Sequence, residues 1–69
     1  MNTAQTYSLL CRRRDAAAAL ATRHARSYRE NIKLGRKRRA AHYLKRYFDC
    51  RRAHAEYDIQ IEELLGLSC

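Results

Sequence analysis

Seven consecutive residues, Lys33-Leu34-Gly35-Arg36-Lys37-Arg38-Arg39, carry the clearest chemistry in this chain. Five of them are cations, a third of the fifteen Lys and Arg among 69 residues. Ammonium and guanidinium groups bind phosphate and carboxylate oxygens through charge-assisted hydrogen bonds. Four adjacent cations cannot be buried, because an unpaired buried charge is too costly. Glycine, in turn, most readily adopts the left-handed backbone that ends a helix. The segment reads as a solvent-facing helical corner that presents positive charge to an anionic surface.

Further cations extend the same chemistry. Arg12, Arg13, Arg14, Arg23, Arg26, Arg29 and Lys33 give the first half a long basic face. Arg36, Lys37, Arg38 and Arg39, then Lys45, Arg46, Arg51 and Arg52, continue it. Such a surface binds anionic lipid at about 1 kcal/mol per cation near the bilayer. It would equally neutralise nucleic-acid phosphates. Five tyrosines offer stacking on exposed bases, but the spacing of Tyr43, Tyr47 and Tyr57 assigns those three to a helix seam. Charge alone leaves lipid and RNA both open.

The charge is unevenly placed. Residues 1–55 hold twelve more cations than acids. Residues 56–69 hold Glu56, Asp58, Glu62 and Glu63 and no Lys or Arg. A basic body with an acidic tip favours an anionic partner or head-to-tail self-association. The plainer alternative is a solvated helix surface, although the excess is beyond what solubility asks.

Other chemistries find no support. Ser8, Ser27 and Ser68 lack a His/Asp arrangement, and no GxGxxG, Walker or HExxH pattern occurs. An enzyme is not expected, nor a cofactor. Cys50 and His54 have the four-residue spacing that can place two zinc ligands on one helix face. No third and fourth ligand converges on them, so no metal is expected, and His24, His42 and His54 read as core or surface residues. Cys11 lies too far along a hairpin to bridge Cys50. Three cysteines without a CxxC pair or secretory signal suit a reducing compartment, and the expected place is the cytoplasm. Residues 1–29 hold six Arg, one acid and several Ser and Thr, the composition of a mitochondrial transit peptide. A basic amphipathic first helix accounts for the same residues, because its pattern runs smoothly on to Gly35.

The elements that position these cations follow from composition and spacing. With no Pro, two Gly and abundant Ala, Leu, Arg and Glu, the chain favours helix. The fold class expected is all-α, a single two-helix antiparallel hairpin turning near Gly35. Helix 1 is placed at about residues 4–34, capped by Thr3 or Thr6, and helix 2 at about 36–65. Gly66 is a candidate C-cap, with Leu67 folding back on the last turn.

Helix 2 has a gapless heptad seam of Ala40, Tyr43, Tyr47, Cys50, His54, Tyr57, Ile61 and Leu64. Helix 1 answers with Leu10, Ala17, Leu20, Ala21, His24, Tyr28 and Ile32, interrupted by Arg13 and Arg14. Folding at Gly35 pairs Ile32 with Ala40, Tyr28 with Tyr43, His24 with Tyr47, Leu20 and Ala21 with Cys50, Ala17 with His54, and Leu10 with Ile61. Leu44, Phe48, Ile59 and Leu65 fall off this seam as a second apolar strip. Two helices cannot enclose one another, so the strip predicts packing against copies of the chain or another protein.

Around the corner the sequence reads Gly35-Arg36-Lys37 with Ala40, then Leu44-Lys45-Arg46, and later Gln60-Ile61 with Leu64. This resembles the core hairpin of the Snf7 family, the ESCRT-III subunits, over roughly residues 9–65. Those residues match the family's G-[KR]-[KR]-x-x-A turn, its L-[KR]-[KR] motif and a Q-I-x-x-L element. Family members carry a further long helix and an acidic C-terminal helix that recruits an AAA ATPase, and neither has a counterpart in these residues. The resemblance implies membrane remodelling: the basic helix and corner lie on anionic lipid, and hairpins polymerise side by side into filaments through helix 2. The alternative expectation is a small basic structural subunit of an RNA-containing or organellar assembly. A small regulatory coiled-coil dimer is a third.

Overall fold

Alanine-rich text with no proline supplies two uninterrupted helices, α1 (Thr3–Lys33) and α2 (Lys37–Leu64). They are seen in a computed structural model that describes residues 2–66. Leu67, Ser68 and Cys69, and with them the expected fold-back of Leu67, lie outside the described residues.

The start of α1 differs from expectation. Asn2, not Thr3 or Thr6, is the cap. Its side-chain oxygen accepts the Gln5 backbone N–H at 2.8 Å, and the Gln5 side chain accepts the Asn2 N–H at 3.1 Å. This reciprocal capping box satisfies two orphan donors at once, which a lone threonine cap cannot do. Thr6 instead donates its hydroxyl to the Asn2 carbonyl at 3.1 Å.

Gly35 ends α1 with φ 72°. The Arg36 N–H donates to the Asn31 carbonyl at 2.9 Å and the Gly35 N–H to the Ile32 carbonyl at 3.1 Å. These two bonds form a Schellman motif, which uses a left-handed residue to satisfy the last carbonyls of a helix. Gly66 follows α2 with φ 69°. Its N–H donates to the Glu63 carbonyl at 3.1 Å.

α1 and α2 run antiparallel, packed along their length in a body of 48 × 22 × 13 Å. His24 lies against Tyr43, with ring centroids 6.1 Å apart. Near the open end Arg14 reaches Asp58. These contacts fix an antiparallel register close to the expected one. His24 meets Tyr43, one turn nearer the corner than the Tyr47 that simple pairing suggests.

The core is narrow. Leu10, Ala17 and Ala21 on α1 and Ala40 and Ile61 on α2 are buried. His24, Tyr28, Tyr43, Tyr47, Cys50, His54, Tyr57 and Leu64 are half-buried along the same seam. Three of the five buried residues are alanines, so the helix backbones approach closely and the rings pack over them. Leu20 and Ile32 depart from the expected seam, being 42% and 50% exposed. A single partner helix covers only part of a helix's circumference, so Leu20 is left at the edge. Ile32 lies just before the corner, where the facing residue is the short Ala40. Of the outer strip, Phe48, Ile59 and Leu65 are exposed and Leu44 is half-buried.

Candidate anionic-surface interface

The cations are placed by helix geometry. With about 100° of turn per residue, Arg12, Arg23, Arg26 and Lys33 fall on the side of α1 away from its buried Leu10, Ala17 and Ala21. All four are exposed. Arg13 turns to one flank of the hairpin, where it lines a groove with Leu20 and Tyr57. Arg29 turns to the other, beside Tyr28, Leu44 and Tyr47. The α1 arginines therefore do not form one face; they divide between the back and the two flanks.

Arg14 leaves the set altogether. Its Nη1 donates to Asp58 Oδ1 at 3.3 Å and its Nε to Asp15 Oδ1 at 3.4 Å. The Asp58 contact, ahead of Asp15, holds the Arg14 guanidinium above its usual proton affinity. His54 Nδ1 approaches the other Asp58 oxygen at 3.5 Å. Arg14 is thus a clip between the helices rather than a ligand-binding cation. Spacing could not reveal this, because Asp58 is 44 residues away in sequence.

At the corner the charge is denser and uncompensated. Arg36, Lys37, Arg38 and Arg39 are all exposed and outline a shallow surface depression with Gly35. Arg26, Arg29 and Lys33 line a second depression on the last turns of α1, with Glu30 as its one acid. Among the described residues, Arg14 is the only Lys or Arg paired with a carboxylate. The first turn of α2 contains no acid, and its N-cap, Arg36, makes no side-chain capping bond. The positive end of the α2 dipole therefore adds to the cations instead of opposing them, and each such cation costs about 0.3–1 kcal/mol at low salt.

Two aliphatic side chains lie within this charge. Leu34 is 64% exposed and Ile32 50%. The aromatic residues are differently placed. Tyr28, Tyr43, Tyr47 and Tyr57 are half-buried on the seam, while Tyr7 and Phe48 are exposed and far from the corner in sequence. Phe48 packs edge-on against Tyr47, with centroids 5.4 Å apart. The neighbouring Cys11 thiol, one turn away, holds the Tyr7 hydroxyl above its ordinary proton affinity.

No group of three His, Cys, Asp or Glu side chains that could hold a metal occurs among the described residues. Cys11 and Cys50 are free thiols. No described helix is long and apolar enough to cross a membrane. Seam spacing alone misses the significance of Ile32 and Leu34, although the signal is present: both flank Lys33 at the corner, where the start of α2 offers little side chain to cover them.

No family model matches the chain, and neither a curated protein nor a solved structure matches it.

Proposed function

We propose that this hairpin is a non-enzymatic module that docks its corner on an anionic membrane surface. The observation that carries the reading is the exposure of Leu34 and Ile32 among the cations of the corner. A purely electrostatic phosphate binder has no use for two exposed aliphatics at its most charged point. A membrane-surface binder does, because cations meet the headgroups while apolar side chains enter the acyl boundary.

Lys33, Arg36, Lys37, Arg38 and Arg39 each contribute about 1 kcal/mol near an anionic leaflet. A Leu or Ile side chain adds about 1.5–3 kcal/mol when it is fully removed from water. Arg29 and Arg26, one and two turns back from Lys33, extend the contact along α1. The half-buried tyrosines disfavour the RNA reading, because a stacking platform needs exposed ring faces.

Co-sedimentation with vesicles tests this, comparing phosphatidylserine-rich with pure phosphatidylcholine membranes and adding structured RNA as competitor. Binding to the anionic vesicles alone, retained in the presence of RNA, is the expected result. Transfer of the protein from vesicles to RNA would overturn it. Electron microscopy of the pellet addresses the filament step implied by the Snf7 resemblance: ordered arrays support side-by-side polymerisation, and bare vesicles with bound protein limit the function to docking.

A further inference from the structure

We infer that the flank of the hairpin containing Leu20, Cys50 and Ala53 is covered by a second copy of this chain, antiparallel about a two-fold axis, closing a four-helix bundle. The membrane reading is not needed for this inference.

Surface area supplies the first argument. The chain exposes 5566 Å². A compact monomer of its 8.1 kDa exposes about 4,500 Å² by the usual scaling. The excess, about 1,000 Å², is close to the ~800 Å² each partner gives up in a standard interface. The interior agrees, since no large side chain among the described residues is fully buried.

The location of the groove supplies the second. It is an open groove of about 440 Å³ whose floor is Ala16, Ala17 and Leu20 of α1 and Cys50, Ala53 and Tyr57 of α2, with Arg13, Arg46 and Asp49 also in its lining. These residues lie near the midpoints of Thr3–Lys33 and Lys37–Leu64. A two-fold axis through the groove therefore pairs it with itself, as an isologous interface requires. α1 then faces its own copy in reverse, and Leu20 of each chain lies over Ala16 of the other. The opposite flank, around Tyr28, Leu44 and Tyr47, lies nearer the corner. A two-fold axis there would leave half of each hairpin unpaired.

Charge supplies the third argument. When α2 faces its own copy in reverse, its basic start meets its acidic end. Arg38 comes opposite Glu63, and both are exposed and outside any ion pair among the described residues. A parallel pair would instead stack two sets of Arg36, Lys37, Arg38 and Arg39 on each other. Complementary ends select the antiparallel partner.

Sedimentation velocity of the full chain from micromolar to millimolar concentration tests the inference, with circular dichroism confirming helicity. A concentration-dependent dimer is expected, and a monomer throughout would overturn the inference. Ala53→Arg places a further cation beside Arg13 and Arg46 of the groove and raises the dimer dissociation constant by at least about tenfold. An unchanged constant with intact helicity would show that this flank is not the interface. Arg38→Glu and Glu63→Arg each weaken the dimer by about three- to tenfold, and the double variant restores it. Because both side chains are exposed, these variants test orientation without touching the core. Failure of the double variant to restore the dimer would overturn the antiparallel arrangement.

Discussion

Arg14 Nη1 donates to Asp58 Oδ1 at 3.3 Å, joining α1 to α2 near the open end of the hairpin. The hairpin is thus tied twice, by the chain itself at Gly35 and by this ion pair, which lies between the buried Ala17 and the buried Leu10 and Ile61. His54 approaches the second Asp58 oxygen at 3.5 Å from one turn back on α2, so three side chains share the contact.

Arg14→Ala or Asp58→Asn should loosen the open end. Both partners are partly solvated, and the expected loss is about 1–5 °C in Tm at low salt, shrinking at high salt as screening grows. Thermal melts in low and high salt check this. The pH dependence has a definite sign on the arginine side. The proton affinity of Arg14 is raised by its contact with Asp58. Its contribution is fully present below the ordinary arginine range and is lost only as pH rises through the elevated folded value. Raising pH from 7 to 10 should therefore leave the Arg14 contribution intact.

Gly35→Ala should strain the corner through the backbone alone. Gly35 has φ 72°, and a Cβ added there would meet nothing within 4 Å. The cost of holding alanine in the left-handed region is about 1–2 kcal/mol. A straight helix through this position is the natural relief, since alanine favours helix over glycine by about 1 kcal/mol. The closed hairpin has a Cα radius of gyration of 15.4 Å. A continuous rod of these residues would be about 90 Å long, with a radius of gyration near ~27 Å. Small-angle scattering at low concentration should find the native chain near the first value and a larger mean for Gly35→Ala. An unchanged profile would mean that the interhelical contacts outweigh the strain.

The hairpin was legible in the sequence because its strongest signals are local. Gly35 marks the corner, and the heptad run from Ala40 to Leu64 gives one face of α2. The helix limits were within one or two residues of those seen, the ordinary uncertainty of helix ends. Less legible was whatever depended on how much of a helix its partner covers. Leu20 has seam spacing but only an edge position, and Ile32 faces only the short side chain at the start of α2. Thr3 and Thr6 match a simple cap pattern and obscure Asn2, although Gln5 three residues later completes its box. Arg14 is indistinguishable from its neighbours in the sequence, because a run of charge carries no record of a carboxylate on the other helix.

Core truncation should separate seam from strip. Ile61 is 7% exposed and Ile59, two residues away, 53%. Ile61→Ala should cost about 2–4 kcal/mol through lost burial and the cavity left behind. That is a large part of the stability of so small a domain, so marked loss of helicity at low concentration is expected. Ile59→Ala should change the monomer by less than about 0.5 kcal/mol. Urea titrations followed by circular dichroism give both numbers, and equal effects would show that α2 is rotated relative to this packing.

Leu34→Ser should distinguish membrane docking from attraction to any polyanion. Leu34 caps α1 with its side chain 64% exposed, so its removal leaves the fold within about 0.5 kcal/mol. If its side chain enters the acyl boundary, losing about 1.5 kcal/mol of apolar transfer weakens binding to phosphatidylserine vesicles by roughly tenfold. Paired replacement of Arg38 and Arg39 by Ser should weaken binding by a larger factor, since two cations contribute about 2 kcal/mol. The two variants then diverge with salt. Screening removes the arginine contribution but spares the apolar one, so the Leu34 effect should persist at high ionic strength while the arginine effect fades. Vesicle titrations at two salt concentrations read out all four values. A Leu34→Ser variant that binds as tightly as the native chain at both would leave charge as the whole interaction, and with it the case for a phosphate-rich partner such as RNA.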